Sequence, residues 1–170
     1  MSKKIRGFEW ISTYETPSDP LPQRATEASA GYDISASETI TIPSIWKSLA
    51  ADRKEDEDVS KNHAASTLVP TGLKAYMPAS EVLLLVNRSS NAMKNQLALP
   101  NGIGVIDADY YNNEKNEGEI FVQLINYGFS DYTIKKGDRI AQGIFTKYYT
   151  ADDEKAPQAK RTGGFGSSGI

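Results

Sequence analysis

The sequence predicts an all-β fold, and three observations predict it. Short β-branched, aromatic and aliphatic runs recur along the chain, Gly, Asn and Pro turns separate them, and only two stretches compete as helices. Glu38 to Ile42 alternates polar and apolar residues, the period of a half-buried strand. Thr67-Leu68-Val69 meets the turn Pro70-Thr71-Gly72, after which Leu73 to Met77 resumes the pattern. Glu81 to Val86, Glu119 to Ile125 and Arg139 to Tyr149 are further strand runs, and strands at this spacing predict a sandwich or barrel. Ser90 to Leu97 reads as a short helix with Ser90 near its cap. A second helix begins at Ile45, Trp46 and Leu49 and runs into Asp52-Arg53-Lys54-Glu55-Asp56-Glu57-Asp58. That tract has too little apolar surface to pack and reads as a solvated insertion.

At 170 residues, with no internal repeat, the chain reads as one domain large enough to bury a core without staples. Its lack of cysteine excludes a disulfide scaffold, a thiolate metal site and a cysteine nucleophile together. With His63 as the single histidine, a histidine triad or multi-histidine zinc site is out of reach, so any metal is a hard ion held by oxygen. Met1 to Ser12 has basic residues but no long apolar run, which predicts neither signal peptide nor anchor and a soluble, cytoplasmic protein with no membrane partner. A net charge of −3 argues against a nucleic-acid polymer as main partner and leaves open a small anion held by local cations.

The most informative segment is Asn101-Gly102-Ile103-Gly104-Val105-Ile106-Asp107-Ala108-Asp109-Tyr110. It sets an acid and an aromatic ring after a glycine-punctuated turn, as a β-hairpin would to hold a flat ligand against its backbone and offer it a carboxylate. Asp107 is the candidate base, although Asp and Gly also populate turns for conformational reasons alone. Four other clusters each have a plainer explanation too. Ala30-Gly31-Tyr32-Asp33-Ile34 sets an acid at a strand start, either a turn aspartate or a metal site. Asn87-Arg88-Ser89-Ser90 leads a strand into the short helix, as a surface cap or as a phosphate cradle of amides, hydroxyls and guanidinium. Gly137-Asp138-Arg139-Ile140-Ala141-Gln142 is a turn entering a strand, with Gln142 a candidate for the site. Arg161-Thr162-Gly163-Gly164-Phe165-Gly166-Ser167-Ser168-Gly169 is either a flexible end or a lid that wraps a polyphosphate and covers a base.

In this order and register, the five clusters resemble those of the trimeric dUTPases, which hydrolyse dUTP to dUMP and diphosphate. Leu68 to Leu73 also looks like the family. The resemblance implies a distorted jelly-roll that forms a homotrimer, with active sites at subunit interfaces and a C-terminal tail, residues 157–170, folding over a site made by neighbours. It implies that Asp107 positions and deprotonates the water attacking the α-phosphorus. A carboxylate is a weak base, so positioning and charge stabilisation supply most of the rate. Ser89 and Ser90 would bind oxygens around the scissile bond, with Arg88 supporting that loop or the phosphates. Mg²⁺ is the implied cofactor, with Asp33, through water, and Gln142 acting on it or on the catalytic water. Asn101 and the backbone of Gly104, Val105, Ile106 and Asp107 would read uracil, where cytosine mismatches donors and acceptors. Tyr110 would stack under the deoxyribose and exclude a ribose hydroxyl. Phe165 would cover the base, and Gly166, Ser167, Ser168 and Arg161 would meet it or the β- and γ-phosphates.

Three departures stand out against the family pattern. Arg161 precedes Phe165 by four positions where five is common, leaving Lys160 in the usual place. A loop, Tyr111 to Asn116, parts Tyr110 from Glu117-Gly118-Glu119-Ile120, where a tight turn is usual. The stretch around residues 45–65 is an insertion relative to compact members, and surface decoration is the default for both loops. The dCTP deaminases share the fold, but their catalytic glutamate falls here on Gln123, and an amide cannot act as that acid–base group. A third reading, suggested by phage-encoded relatives, adds a regulatory protein partner contacted by the insertions.

Overall fold

Strand β6, Glu81–Asn87, is the spine of the molecule, because it is paired on both edges and buries Val82, Leu83 and Leu85. The computed structural model describes residues 4–14, 20–52 and 66–155. In chain order the strands are β1 Gly7–Trp10, β2 Tyr32–Ser35, β3 Ile40–Ile42, β4 Ser66–Pro70, β5 Leu73–Tyr76, β6, β7 Leu97–Ala98, β8 Ile103–Asp107, β9 Phe121–Asn126, β10 Tyr132–Ile134 and β11 Arg139–Lys147. A four-stranded antiparallel sheet runs β2-β11-β6-β8 and a three-stranded one β4-β9-β7, with the pairs β1-β5 and β3-β10 beside them. Their inner faces share one core, in which Ile34, Ile42, Leu83, Ile120, Val122 and Leu124 are fully buried. Burying each such side chain contributes about 1.5–3 kcal/mol. The all-β architecture thus agrees with the alternation in the sequence.

The predicted hairpin at Asn101–Tyr110 is not formed. β8 pairs with β6, from Val86↔Ile103 to Val82↔Asp107, whereas its predecessor β7 pairs with β9 in the other sheet. The turn between β7 and β8 therefore carries the chain from one sheet to the other instead of folding it back, since the apolar strand β6 would otherwise have an unpaired edge.

The short helical segment differs in detail as well. Residues 89–95 are helical, with a π turn over Asn91–Asn95; Ser90 is itself helical and makes no side-chain cap bond, and Leu97 already belongs to β7. The segment is tied down through Asn91, whose buried side-chain amide donates to the Ile140 carbonyl at 2.7 Å. Ile140 lies at a register shift where β11 meets β2, so Asn91 satisfies a carbonyl that the ladder has displaced.

The predicted helix at residue 45 forms as α1, Ile45–Asp52. Its start is docked, not merely solvated: the Ser44 amide donates to Asp131 at 2.9 Å, and the Trp46 indole donates to the Tyr127 carbonyl and stacks on Phe129. The charged tract beyond Asp52 lies outside the described residues. No described helix is long and apolar enough to cross a membrane.

Candidate active site

Two groups of predicted residues come together in the chain, at different places. The first lines a cavity of about 220 Å³ that takes in Asn101, Gly104, Val105, Ile106, Asp107 and Tyr110. That volume lies below the ~300 Å³ lower end for pockets holding whole drug-sized ligands, and it matches a nucleoside better than a triphosphate. β8 is the edge strand of its sheet, so its outer backbone groups point away from β6 and are suited to reading a planar hydrogen-bonding edge. Gly104 sits directly on Leu85: a Cβ there would lie 3.1 Å from the Leu85 Cβ, so glycine lets β8 lie close on β6. Leu85, Leu99 and Phe121 supply apolar walls, and Gln123 brings an amide whose Nε2 donates to Ser66 Oγ at 2.8 Å. Sequence reading left these four out of the site; alternation marked three of them only as strand residues, and their shared cavity depends on how β8 and β9 are placed.

Tyr110 is 5% exposed and forms part of a 3-10 turn, Ala108–Tyr110, directly after Asp107. Its hydroxyl donates to the Glu119 carbonyl at 2.9 Å and accepts from Asn116 Nδ2 at 2.8 Å. The ring therefore enters the cavity wall with its polar end already satisfied.

The second group is ionic and centres on Asp33. Arg139 Nη1 donates to Asp33 Oδ2 at 2.9 Å and Gln142 Nε2 to Oδ1 at 3.3 Å, in the register where β2 and β11 pair Asp33 with Gln142. Arg88 Nε lies 3.3 Å from Asp33 Oδ1 as an ion pair without hydrogen-bond alignment, while its Nη1 reaches the Arg139 carbonyl at 3.2 Å and Ser90 Oγ at 3.4 Å. Ser89 beside them is exposed. One carboxylate thus holds two guanidiniums at the mouth of a polar cavity of about 230 Å³, a pattern suited to an anion. Arg139 is not among the site residues that the sequence predicts; its partnership with Asp33 follows from strand pairing, which the sequence does not display.

Asp107 and the Arg88 cluster stand at different levels of the sheet within one chain. Asp107 pairs with Val82 near the start of β6, whereas Arg88 follows the last residue of that strand. Six residues of strand separate the two levels, roughly 20 Å at ~3.3 Å per residue. The cavities share no lining residue. No cluster of three or more acidic or histidine side chains suited to a metal occurs among the described residues. Arg161, Phe165, Gly166, Ser167 and Ser168, like Lys160, lie outside the described residues.

The family model described as dUTPase matches residues 52–169. A deoxyuridine 5'-triphosphate nucleotidohydrolase of Lactococcus lactis subsp. lactis is 46% identical over 168 residues, which is 98% of this chain and 99% of that one. One from Desulfitobacterium hafniense is 37% identical over 155 residues, covering 88% and 87%. Among solved structures, the dUTPase from Streptococcus mutans superposes with a TM-score of 0.72 at 41% identity, covering 86% of this chain and 98% of that chain. The dUTPase from phage phi11 of S. aureus, with a TM-score of 0.62 over 96% of this chain and 99% of that one, is only 19% identical and speaks to the fold alone.

Proposed function

The chain belongs to the dUTPase family, and from that premise we propose that it hydrolyses dUTP to dUMP and diphosphate in a site shared between subunits of a homotrimer. The observation that carries the shared site is the position of Asp107 opposite Val82, six strand residues from Arg88. A water held by Asp107 and a phosphate held by the Arg88 loop therefore come together most simply between two copies of the chain. Ile103 and Val105, 50% and 58% exposed on the edge strand beside the cavity, support this, because apolar residues beside a site call for a cover.

In this reading Asn101 and the backbone of residues 104–106 read the uracil edge, and the Tyr110 ring lies against the deoxyribose. Asp107 orients a water and takes its proton as the water oxygen bonds to the α-phosphorus. The bond from that phosphorus to the bridging oxygen breaks, and diphosphate leaves. Arg88, Ser89 and Ser90 of a neighbouring subunit hold the phosphate oxygens, with Asp33 and Gln142 keeping the guanidiniums in place. Phe165, Gly166, Ser167, Ser168 and Arg161 of the tail close over the base and the outer phosphates.

Both Asp33 oxygens are already engaged by Arg139, Arg88 and Gln142, which suits contact with a metal ion through water better than direct coordination. Mg²⁺ would therefore come in on the substrate's phosphates, which this cationic cluster attracts, and would keep several of its waters. When bound, the ion neutralises charge on the departing diphosphate. Gln123 in the wall of the base cavity supports hydrolysis over deamination, since an amide there hydrogen-bonds but cannot exchange a proton.

The test is diphosphate release from dUTP, dCTP, dTTP and UTP with Mg²⁺. Only dUTP is turned over in this reading, and deleting residues 163–170 cripples turnover while the assembly keeps its mass. Deaminated product from dCTP would overturn it.

A further inference from the structure

The loop after Tyr110 is a built object. Asn113, 7% exposed, donates from Nδ2 to the Tyr110 carbonyl at 2.9 Å and to Asn116 Oδ1 at 2.8 Å, and its Oδ1 accepts the Lys115 and Asn116 amides at 3.0 and 3.3 Å. Asn116 Oδ1 also accepts the Gly118 amide at 3.2 Å, so its Nδ2 must be the end turned to the Tyr110 hydroxyl. The chain returns through Gly118 at φ +83°, where a Cβ would lie 2.5 Å from the Tyr110 carbonyl oxygen and only glycine fits. The loop is anchored from outside: Lys74 Nζ donates to Asn112 at 2.8 Å and to Glu117 at 3.1 Å, the Tyr111 hydroxyl donates to Glu9 at 2.6 Å, and the Ser12 hydroxyl donates to Glu117. Strands β1 and β5 therefore hold the far side of the loop, and its near side holds Tyr110.

We infer that Asn116 is a positioning residue for sugar discrimination, holding the Tyr110 ring at the depth in the cavity wall that leaves no room for a ribose 2′-hydroxyl. The inference rests on the reading above that Tyr110 lies against the deoxyribose. Tyr110 is held from two sides, by the Glu119 carbonyl that accepts its proton and by the Asn116 amide that donates to its oxygen. Asn116 acts on the cavity through the Tyr110 hydroxyl, so loosening the clamp changes which sugar is accepted.

The experiment compares kcat and KM for dUTP and UTP in wild type, Asn116→Ala, Tyr110→Phe and the double variant. Asn116→Ala lowers the dUTP-over-UTP preference in kcat/KM roughly fivefold to tenfold, about the worth of one hydrogen bond. The loss is carried by KM, with kcat for dUTP within about twofold of wild type. Tyr110→Phe, which removes the clamped hydroxyl, produces a similar loss, and the double variant loses no more than the larger single. If the alanine variant fails to fold, Asn116→Ser, which keeps a short acceptor for the loop amides but no longer reaches the Tyr110 hydroxyl, gives the same result. Unchanged preference in the Asn116 variants, or additive losses in the double variant, would overturn the inference. Tyr110→Leu separates the two levels: unchanged preference there removes the sugar-testing role of Tyr110 itself, and lost preference there with none at Asn116 removes only the clamp.

Discussion

Asp107 ends an edge strand whose hydrogen-bonded neighbour, β6, is paired on both edges and largely buried, so its carboxylate is delivered by a rigid element. Its chemistry in the proposed site is proton removal from one water, and positioned general bases contribute about 10²–10⁴-fold to rate. Asp107→Asn keeps the size and a hydrogen-bonding carbonyl but cannot take the proton. Turnover of dUTP is expected to fall by about that factor, while dUTP affinity measured by calorimetry stays within a few-fold of wild type. Unchanged turnover in this variant would contradict the assignment. Asp33 is placed differently: two guanidiniums and an amide converge on its carboxylate, which makes it the fixed point around which the side chains of the proposed phosphate site are arranged.

The loop from Tyr111 to Glu117 shows how an element with no regular structure is made rigid. Buried Asn113 and its partner Asn116 replace the missing ladder, and Glu117 closes the structure onto Ser12, just past β1, and onto β5. The side-chain and amide hydrogen bonds from Ser12, and then Lys74, hold the Glu117 carboxyl below the usual glutamate range. A carboxyl depressed in the folded state stabilises the fold above its unfolded value, near pH 4, and loses that contribution as pH falls through the folded value. Wild type should therefore melt above Glu117→Gln at pH 6, and the gap should narrow as pH falls below about 4. A gap that stays constant over that range would contradict the anchor. Elements of this kind are hard to read in a sequence. The Glu81–Val86 and Arg139–Tyr149 runs are long and apolar enough to announce strands, and Ile45, Trp46 and Leu49 announce α1. Gly7–Trp10, Leu97–Ala98 and Tyr132–Ile134 are two to four residues each, and their partners, not their own pattern, make them strands. The Tyr111–Asn116 loop looked like decoration because asparagine is a common surface residue; its internal pairing is visible only once the chain is folded.

At the scale of the whole molecule, the residue types of the candidate site were legible as motifs, but their distribution was not. Nothing in Asn101–Tyr110 reveals that β8 is laid along β6 with Asp107 at the end remote from Arg88, because that register is a tertiary choice. In the proposed assembly each site draws Asp107 from one subunit and Ser89 and Ser90 from another. Mixed trimers test this most directly. Asp107→Asn and the double variant Ser89→Ala/Ser90→Ala, each inactive alone, are co-expressed with different tags, the mixed species are purified on both, and diphosphate release from dUTP is measured. If sites are shared, a mixed trimer contains one site with both intact partners, and activity returns to roughly a third of wild type. If one chain supplied the whole site, every site would carry a defect, and mixed trimers as inactive as their parents would contradict the account.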